Sequence, residues 1–327
     1  MSIKRWSNLG KAGIKALSKW ARPEITKVNL SLTGKCNQRC ITCNIWRNNG
    51  SAQELPLADV YAILKANPNL MWVSLTGGEP TLNSRFADIL NACMNWVPMV
   101  NIVTNGQQTD LLVNAVGRAL NNTPESHIIV IHISLLGEQA THEAMTDIKG
   151  SHAHVMETVA ALKKLGQPDR LIIGFEHLIS RYNPGEYKYV QYKANRLGVG
   201  LTYTFEQEAG YYQNKNHFEF KYEIPKVSFT LNPIDIVKNT FLLDTARRAG
   251  CVAGEYSCWV MPDRTVYPCF FSIPKTPAYS LADTNYQLKT KYFKDIRAWV
   301  KGCEGCWTPC ESYTTLIYRP MRALVSK

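Results

Sequence analysis

Between Lys27 and Phe205 the chain alternates short apolar runs with amphipathic ones, and this rhythm restricts the fold more than any other feature. Val28–Leu32 reads as a strand, and Leu57, Val60, Tyr61 and Leu64 fall at helical spacing behind Pro56. Trp72–Leu75 is a short apolar strand ending at Gly77–Gly78. A helical stretch follows from Phe86 to about Trp96, and Pro98 stops it before the strand Met99–Val103. A helix near Leu111–Leu120 precedes the strand Ile128–Ser134. Val155, Thr158, Val159 and Leu162 mark another helix, ended by Gly166. Strands at Ile172–Phe175 and Leu201–Phe205 flank a helix at about Glu186–Arg196. Six βα units in series imply a parallel sheet. The expected fold is α/β, a partial (β/α)6 barrel over residues 27–232, with functional residues at the C-terminal strand ends.

The ten cysteines are clustered rather than spread: three lie in Cys36–Cys43, six in the last quarter, and Cys93 stands alone inside a helix. Clustered cysteines in a chain without an apolar secretory core read as metal ligands in a reducing, cytoplasmic setting. No apolar run approaches the ~20 residues that span a bilayer. The first cluster, Cys36-Asn-Gln-Arg-Cys40-Ile-Thr-Cys43, leaves the first strand. Three thiolates this close cannot complete a four-ligand zinc site alone, and no nearby histidine supplies a fourth ligand. A [4Fe–4S] cluster held by three cysteines keeps one iron open to a non-protein ligand.

This loop resembles the CxxxCxxC signature of the radical S-adenosylmethionine (SAM) superfamily, and Gly77-Gly78-Glu79-Pro80 matches that family's GGEP segment at the second strand end. The resemblance implies that Cys36, Cys40 and Cys43 hold a [4Fe–4S] cluster. It places SAM against Gly77, Gly78, Glu79 and Pro80, with Thr104 and Asn105 at the third strand end and Ser134 at the fourth. Asp147-Ile-Lys-Gly150-Ser151 is similar to the segment that follows the fourth strand in many members. Leu136-Gly137 departs from their usual Asp-Gly, which touches a substrate or ribose contact. The implied chemistry is one-electron cleavage of SAM to a 5′-deoxyadenosyl radical, which takes a hydrogen atom from substrate. An electron donor such as flavodoxin or ferredoxin is implied as partner.

Residues 233–327 are expected to form a small cysteine-rich C-terminal domain. Pro262-Asp-Arg-Thr-Val-Tyr-Pro-Cys269 resembles the PDGxxYPC hairpin of SPASM and twitch extensions, which hold auxiliary clusters; Arg264 stands where glycine is usual. The resemblance implies an auxiliary [4Fe–4S] cluster on Cys251, Cys269, Cys303 and Cys306, with Cys310 able to replace either of the last two. A zinc ribbon on the same thiols is the other reading. The surplus cysteines, Cys258 and Cys310, are candidate hydrogen-atom donors to a substrate radical, as an epimerase would need.

Residues 1–26 carry a basic amphipathic pattern, with Trp6, Leu9, Ile14, Leu17 and Trp20 opposite most of the lysines. Such a helix suits peripheral membrane contact or packing on the body, and Gly10 and Gly13 favour packing. The net charge of +11 points to an anionic partner. The substrate readings are oxidation or epimerisation of a sugar-like or anionic small molecule, or modification of a peptide. The 35 residues before Cys36 are too few for a winged-helix peptide-recognition domain, which counts against the peptide. An iron–sulfur electron carrier would have no use for the GGEP segment. No compact basic motif interleaved with aromatics is present, so nucleic acid is not an expected partner.

Overall fold

The computed structural model describes residues 23–50, 52–206, 209–212, 214, 251–273, 279–294, 300 and 308–318, the side chains of 309 and 310 excepted. Residues 1–22 and 215–250, together with Cys303 and Cys306, lie outside these described residues.

Six strands lie side by side in chain order and all run parallel: β1 (Lys27–Ser31), β2 (Trp72–Thr76), β3 (Met99–Thr104), β4 (Ile128–Ser134), β5 (Leu171–Ile179) and β6 (Gly200–Phe205). Helices α1 (Leu57–Ala66), α2 (Phe86–Trp96), α3 (Thr109–Asn122), α4 (Gln139–Thr146), α5 (Ser151–Lys163) and α6 (Tyr187–Leu197) occupy the crossovers. The expected α/β fold with a parallel sheet is therefore present. Burial on both faces explains the near-continuous apolar text of β3 and β4. Ile129, Ile131 and Ile133 are fully buried in the main core with Val155 and Val159 of α5. Residues between them, such as Asn29, Ser74, Asn101 and His132, line an interior cavity instead. The period of two along each strand separates the two sets.

Two of the described helices were not foreseen. Helix α4 is polar in text (QATHEAMT), and its inner face is a buried histidine, His142, with Met145 and Thr146. Helix α7 (Pro309–Tyr318) follows the last cysteines. It spans the open side of the barrel: Tyr313 Oη donates to Thr202 Oγ1 of β6 at 3.0 Å, and Glu311 Oε2 accepts from Ser257 Oγ at 2.5 Å. Tyr318 stacks on Tyr256 at 4.1 Å between ring centres.

The C-terminal hairpin joins the same sheet. β7 (Ser257–Val260) pairs parallel with β1, and β8 (Thr265–Tyr267) and β9 (Tyr279–Ser280) follow antiparallel, giving a nine-stranded sheet. Arg264 in the β7–β8 turn keeps the conformation that glycine would favour, with φ +69°. Its guanidinium Nε donates to Asp59 Oδ2 of α1 at 2.6 Å, and Tyr286 Oη donates to Asp59 Oδ1 at 2.8 Å. A buried carboxylate thus fastens the hairpin to the barrel, and the side chain that makes the bond also carries the backbone strain. Arg264→Gly removes the bond and the strain together, whereas Arg264→Ala removes the bond alone. Arg264→Ala is therefore expected to melt at the lower temperature, and differential scanning calorimetry of both variants checks the order.

Candidate active site

The C-terminal strand ends open on a cavity of about 250 Å³. Cys36, Cys40, Cys43, Gly77, Gly78, Glu79, Thr104, Asn105 and Ser134 all line it. Pro80 is buried and begins a 3-10 turn, Pro80–Leu82, immediately behind the wall.

The cysteine loop is held by its backbone. Gly78 N donates to Thr33 O at 2.8 Å and Glu79 N to Lys35 O at 2.7 Å. Arg39 N and Ile41 N donate to Thr146 O and Met145 O at the end of α4, each at 2.9 Å. Asn44 N reaches Tyr212 O at 2.8 Å, and the Asn49 amide pairs both ways with the Cys36 backbone at 2.9 and 2.8 Å. The two glycines follow from this docking. A Cβ on Gly78 would lie 2.2 Å from Lys35 O, and one on Gly77 (φ +147°) would lie 2.5 Å from Thr33 O. Close approach of chain to chain is thus a sufficient reason for Gly-Gly here.

Glu79 is fully buried, and the chain itself engages its carboxylate. Oε1 accepts from Thr81 N at 3.2 Å, Thr81 Oγ1 at 2.7 Å and Thr104 Oγ1 at 2.8 Å; Oε2 accepts from Asn105 N at 2.8 Å. Burial raises the carboxyl against these four bonds, which lower it. Its role in this geometry is to clamp the end of β2 to the end of β3. Asn105 Nδ2 then donates to Asn37 Oδ1 at 2.6 Å, which connects β3 back to the cysteine loop.

Without a cationic centre the three thiols resist ionisation. Burial pushes Cys36 up to about 11 and Cys43 to about 12. Cys40 is raised as well, first by burial and then by Cys43 and Cys36. Among the described residues, no three Cys, His, Asp or Glu side chains converge as a single metal ion requires. A [4Fe–4S] cluster takes one thiolate per iron, and the three thiols that line this cavity would serve three of its four irons.

Other foreseen residues are placed as follows. Cys251 and Cys269 meet in one small cluster with Ala253 and Val300. Cys310 falls within α7, with its side chain outside the described set. Cys258 sits on β7 with no exposure, inside the main core and not among the cavity-lining residues. Cys93 is an ordinary buried thiol of α2. Leu136 lines the cavity where the resembling pattern has aspartate, so the wall is apolar there. Sequence reasoning passed over Glu176, Tyr211, Tyr212, Trp259 and Phe270, which also line the cavity. A lone carboxylate inside the apolar run Leu171–Ile179 was the available signal for Glu176.

Chemistry in parallel α/β barrels sits at these strand ends, where three thiols and a docked glycine pair share one cavity wall. Residues 30–188 match the Radical SAM superfamily, so the chain carries a radical SAM domain. Streptococcus suis SuiB superposes with a TM-score of 0.61 at 15% identity, over 89% of this chain and 72% of that one. SuiB bound to its precursor peptide SuiA gives 0.60 at 15% identity, over 85% and 69%. The AdoMet-bound structure of anSMEcpe gives 0.52 at 15%, over 92% and 98%. In sequence, a probable GTP 3′,8-cyclase of Methanocella arvoryzae is 28% identical over 146 residues, 43% of this chain and 45% of the relative. A second one, from Thermococcus kodakarensis, is 29% identical over 104 residues, 31% and 34%. The chain thus spans less than half the length of the curated relatives it matches. No helix among the described residues is long and apolar enough to cross a membrane.

Two expectations follow from this geometry. Gly78→Ala forces the GGEP segment away from the cysteine loop and is expected to remove most of the iron bound there. Gly50→Ala, where an added Cβ meets nothing within 4 Å, leaves iron at the wild-type level; iron and sulfide analysis after anaerobic reconstitution checks both. The second concerns the backbone beside Leu136. His142 Nδ1 accepts from Leu136 N at 3.1 Å, and His177 Nδ1 pairs with Leu135 O at 2.8 Å. Burial holds each imidazole down to about 4, against an ordinary 6.5. Between those values the unfolded chain binds protons that the fold excludes, so the two histidines' contribution to stability falls as pH drops from 6.5 toward 4 and is level above. The loss is about 3 kcal/mol for each histidine. Thermal melts from pH 7.5 to 4.5 are expected to show it as the pH-dependent difference between wild type and the His142→Asn/His177→Asn double variant.

Proposed function

We propose that the chain is a radical SAM enzyme with its SAM-binding [4Fe–4S] cluster on Cys36, Cys40 and Cys43. The observation that carries this reading is the convergence of those thiols, Gly77–Gly78, Thr104, Asn105 and Ser134 on one cavity at the strand ends. Bound together, cluster and SAM supply one-electron cleavage of SAM and abstraction of a hydrogen atom from substrate. The chain's own part is to hold and enclose. Backbone pairing from Thr33–Lys35 and α4 fixes the loop, and Glu79 locks the ends of β2 and β3. Leu136, Tyr211, Trp259 and Phe270 give the wall its apolar surface and exclude water. In the C-terminal segment Cys251 and Cys269, already in contact with one cluster of side chains, are the first two ligands of an auxiliary [4Fe–4S] centre, with Cys303 and Cys306 completing it.

For the substrate, a small molecule rich in hydrogen-bond donors is the reading the wall favours. Glu79, Glu176 and Glu206 line the cavity, against one cationic side chain among the described lining residues, Lys27, whose Nζ lies 4.0 Å over the Trp72 ring. A triphosphate such as GTP finds few counter-charges on such a wall. A peptide is the second reading, and the likeness of fold to SuiB is what keeps it.

The deciding experiment is anaerobic reconstitution with iron and sulfide, addition of dithionite and SAM, and assay of 5′-deoxyadenosine by mass spectrometry. Wild type is expected to form it, and the Cys36→Ala/Cys40→Ala/Cys43→Ala variant to form none. An electron carrier would bind iron and form no deoxyadenosine with either chain.

A further inference from the structure

From the polar groups of the cavity wall we infer that the ends of β5 and β6 form a subsite for a positively charged nitrogen of the substrate, an ammonium or guanidinium, held by Glu206. The inference rests on the radical SAM reading and names the substrate class for the same cavity.

Glu206 follows the last residue of β6, and its backbone N–H donates to Ile179 O at the end of β5 at 2.9 Å, so its position is fixed by the sheet. It is 6% exposed and lines the cavity. Neither carboxylate oxygen has a hydrogen-bond partner of ordinary geometry among the described residues. Glu79 shows the contrast: it too is buried on this wall, yet both of its oxygens are engaged by donors of the chain. A buried carboxylate left without donors is destabilising unless a ligand supplies them. Burial raises the Glu206 carboxyl, and the Arg181 charge and main chain ease it without a hydrogen bond of normal length. A cationic N–H group would both neutralise the charge and satisfy the oxygens.

The surroundings agree on the sign. Glu176 lines the cavity from the adjacent strand, three residues before the β5 end. The thiols and Glu79 occupy the opposite wall, on the β1–β3 side. Tyr212, Trp259 and Phe270 also line the cavity, and aromatic rings suit a cation as well as an apolar stem. Lys27 is the one lysine or arginine among the described lining residues, and the Arg181 charge acts on Glu206 from outside that lining.

The test is isothermal titration calorimetry of the reconstituted, SAM-bound enzyme at pH 7.5 with three probes of equal length: n-butylammonium, n-butanol and butyrate. The expected result is at least tenfold tighter binding of n-butylammonium than of either other probe, and loss of that preference in Glu206→Gln with iron content retained. Equal binding of the three probes by wild type, or a preference for butyrate, overturns the inference. So does a preference that survives Glu206→Gln, or a variant that loses SAM affinity and keeps the ammonium preference. Should Glu206→Gln fail to retain iron, the wild-type probe series decides alone. Deoxyadenosine formed by wild type without any ammonium preference rejects the subsite and leaves the radical SAM reading standing; absence of deoxyadenosine rejects that reading itself.

Discussion

Everything at the cavity depends on the docking of one backbone segment against another, Gly77-Gly78-Glu79 on Thr33–Lys35. Two strands that are neighbours in the sheet continue their pairing beyond the sheet into the loop that carries the thiols, with bonds of 2.8 and 2.7 Å. Side chains at positions 77 and 78 would separate them. The same segment delivers Glu79, whose four hydrogen bonds bring in β3. The position of the thiols is thereby set by main-chain geometry, which tolerates far less drift than a flexible loop held by side chains. Glycine is needed here for the chain's own contacts, before any ligand is considered.

Much of this was legible because it is local. The strand–helix rhythm from Val28 to Phe205 reads directly from periodicity, as do the three thiols after the first strand and the glycine pair after the second. The features that were missed depend on contacts across long stretches of chain. Helix α4 has no apolar stripe of the usual width, because its buried face is a histidine that bonds the Leu136 backbone. Helix α7 is placed by Tyr313 and Glu311, which find partners on β6 and β7. The hairpin was legible as a hairpin, but nothing in its text announces parallel pairing with β1. Arg264 illustrates the limit well: the sequence shows a departure from glycine, and Asp59, 205 residues away, explains it.

Net charge was the least informative feature for the site. A chain of +11 invites an anionic partner, yet the cavity wall bears three carboxylates. Charge summed over a chain governs solubility and long-range encounter, whereas recognition in a cavity depends on the few groups that lose water there. Lys27 shows how a cation can be present and still be engaged. It is 2% exposed, lies over Trp72 and eases the buried carboxyl of Glu311, which burial pushes up to about 7.

The parallel pairing of β1 with β7 has a consequence for synthesis of the chain. Thr26 and Tyr256 meet across 230 residues. At ribosomal speeds that interval lasts roughly ten to fifty seconds. Throughout it, one edge of β1 offers unpaired N–H and C=O groups directly beside the cysteine loop. An open edge of this kind is a template for pairing with other chains. The hairpin closes it late, so the thiols leave the ribosome long before the strand that carries them is covered on both sides. Loading of a cluster during that window would occur on a sheet still missing its last three strands.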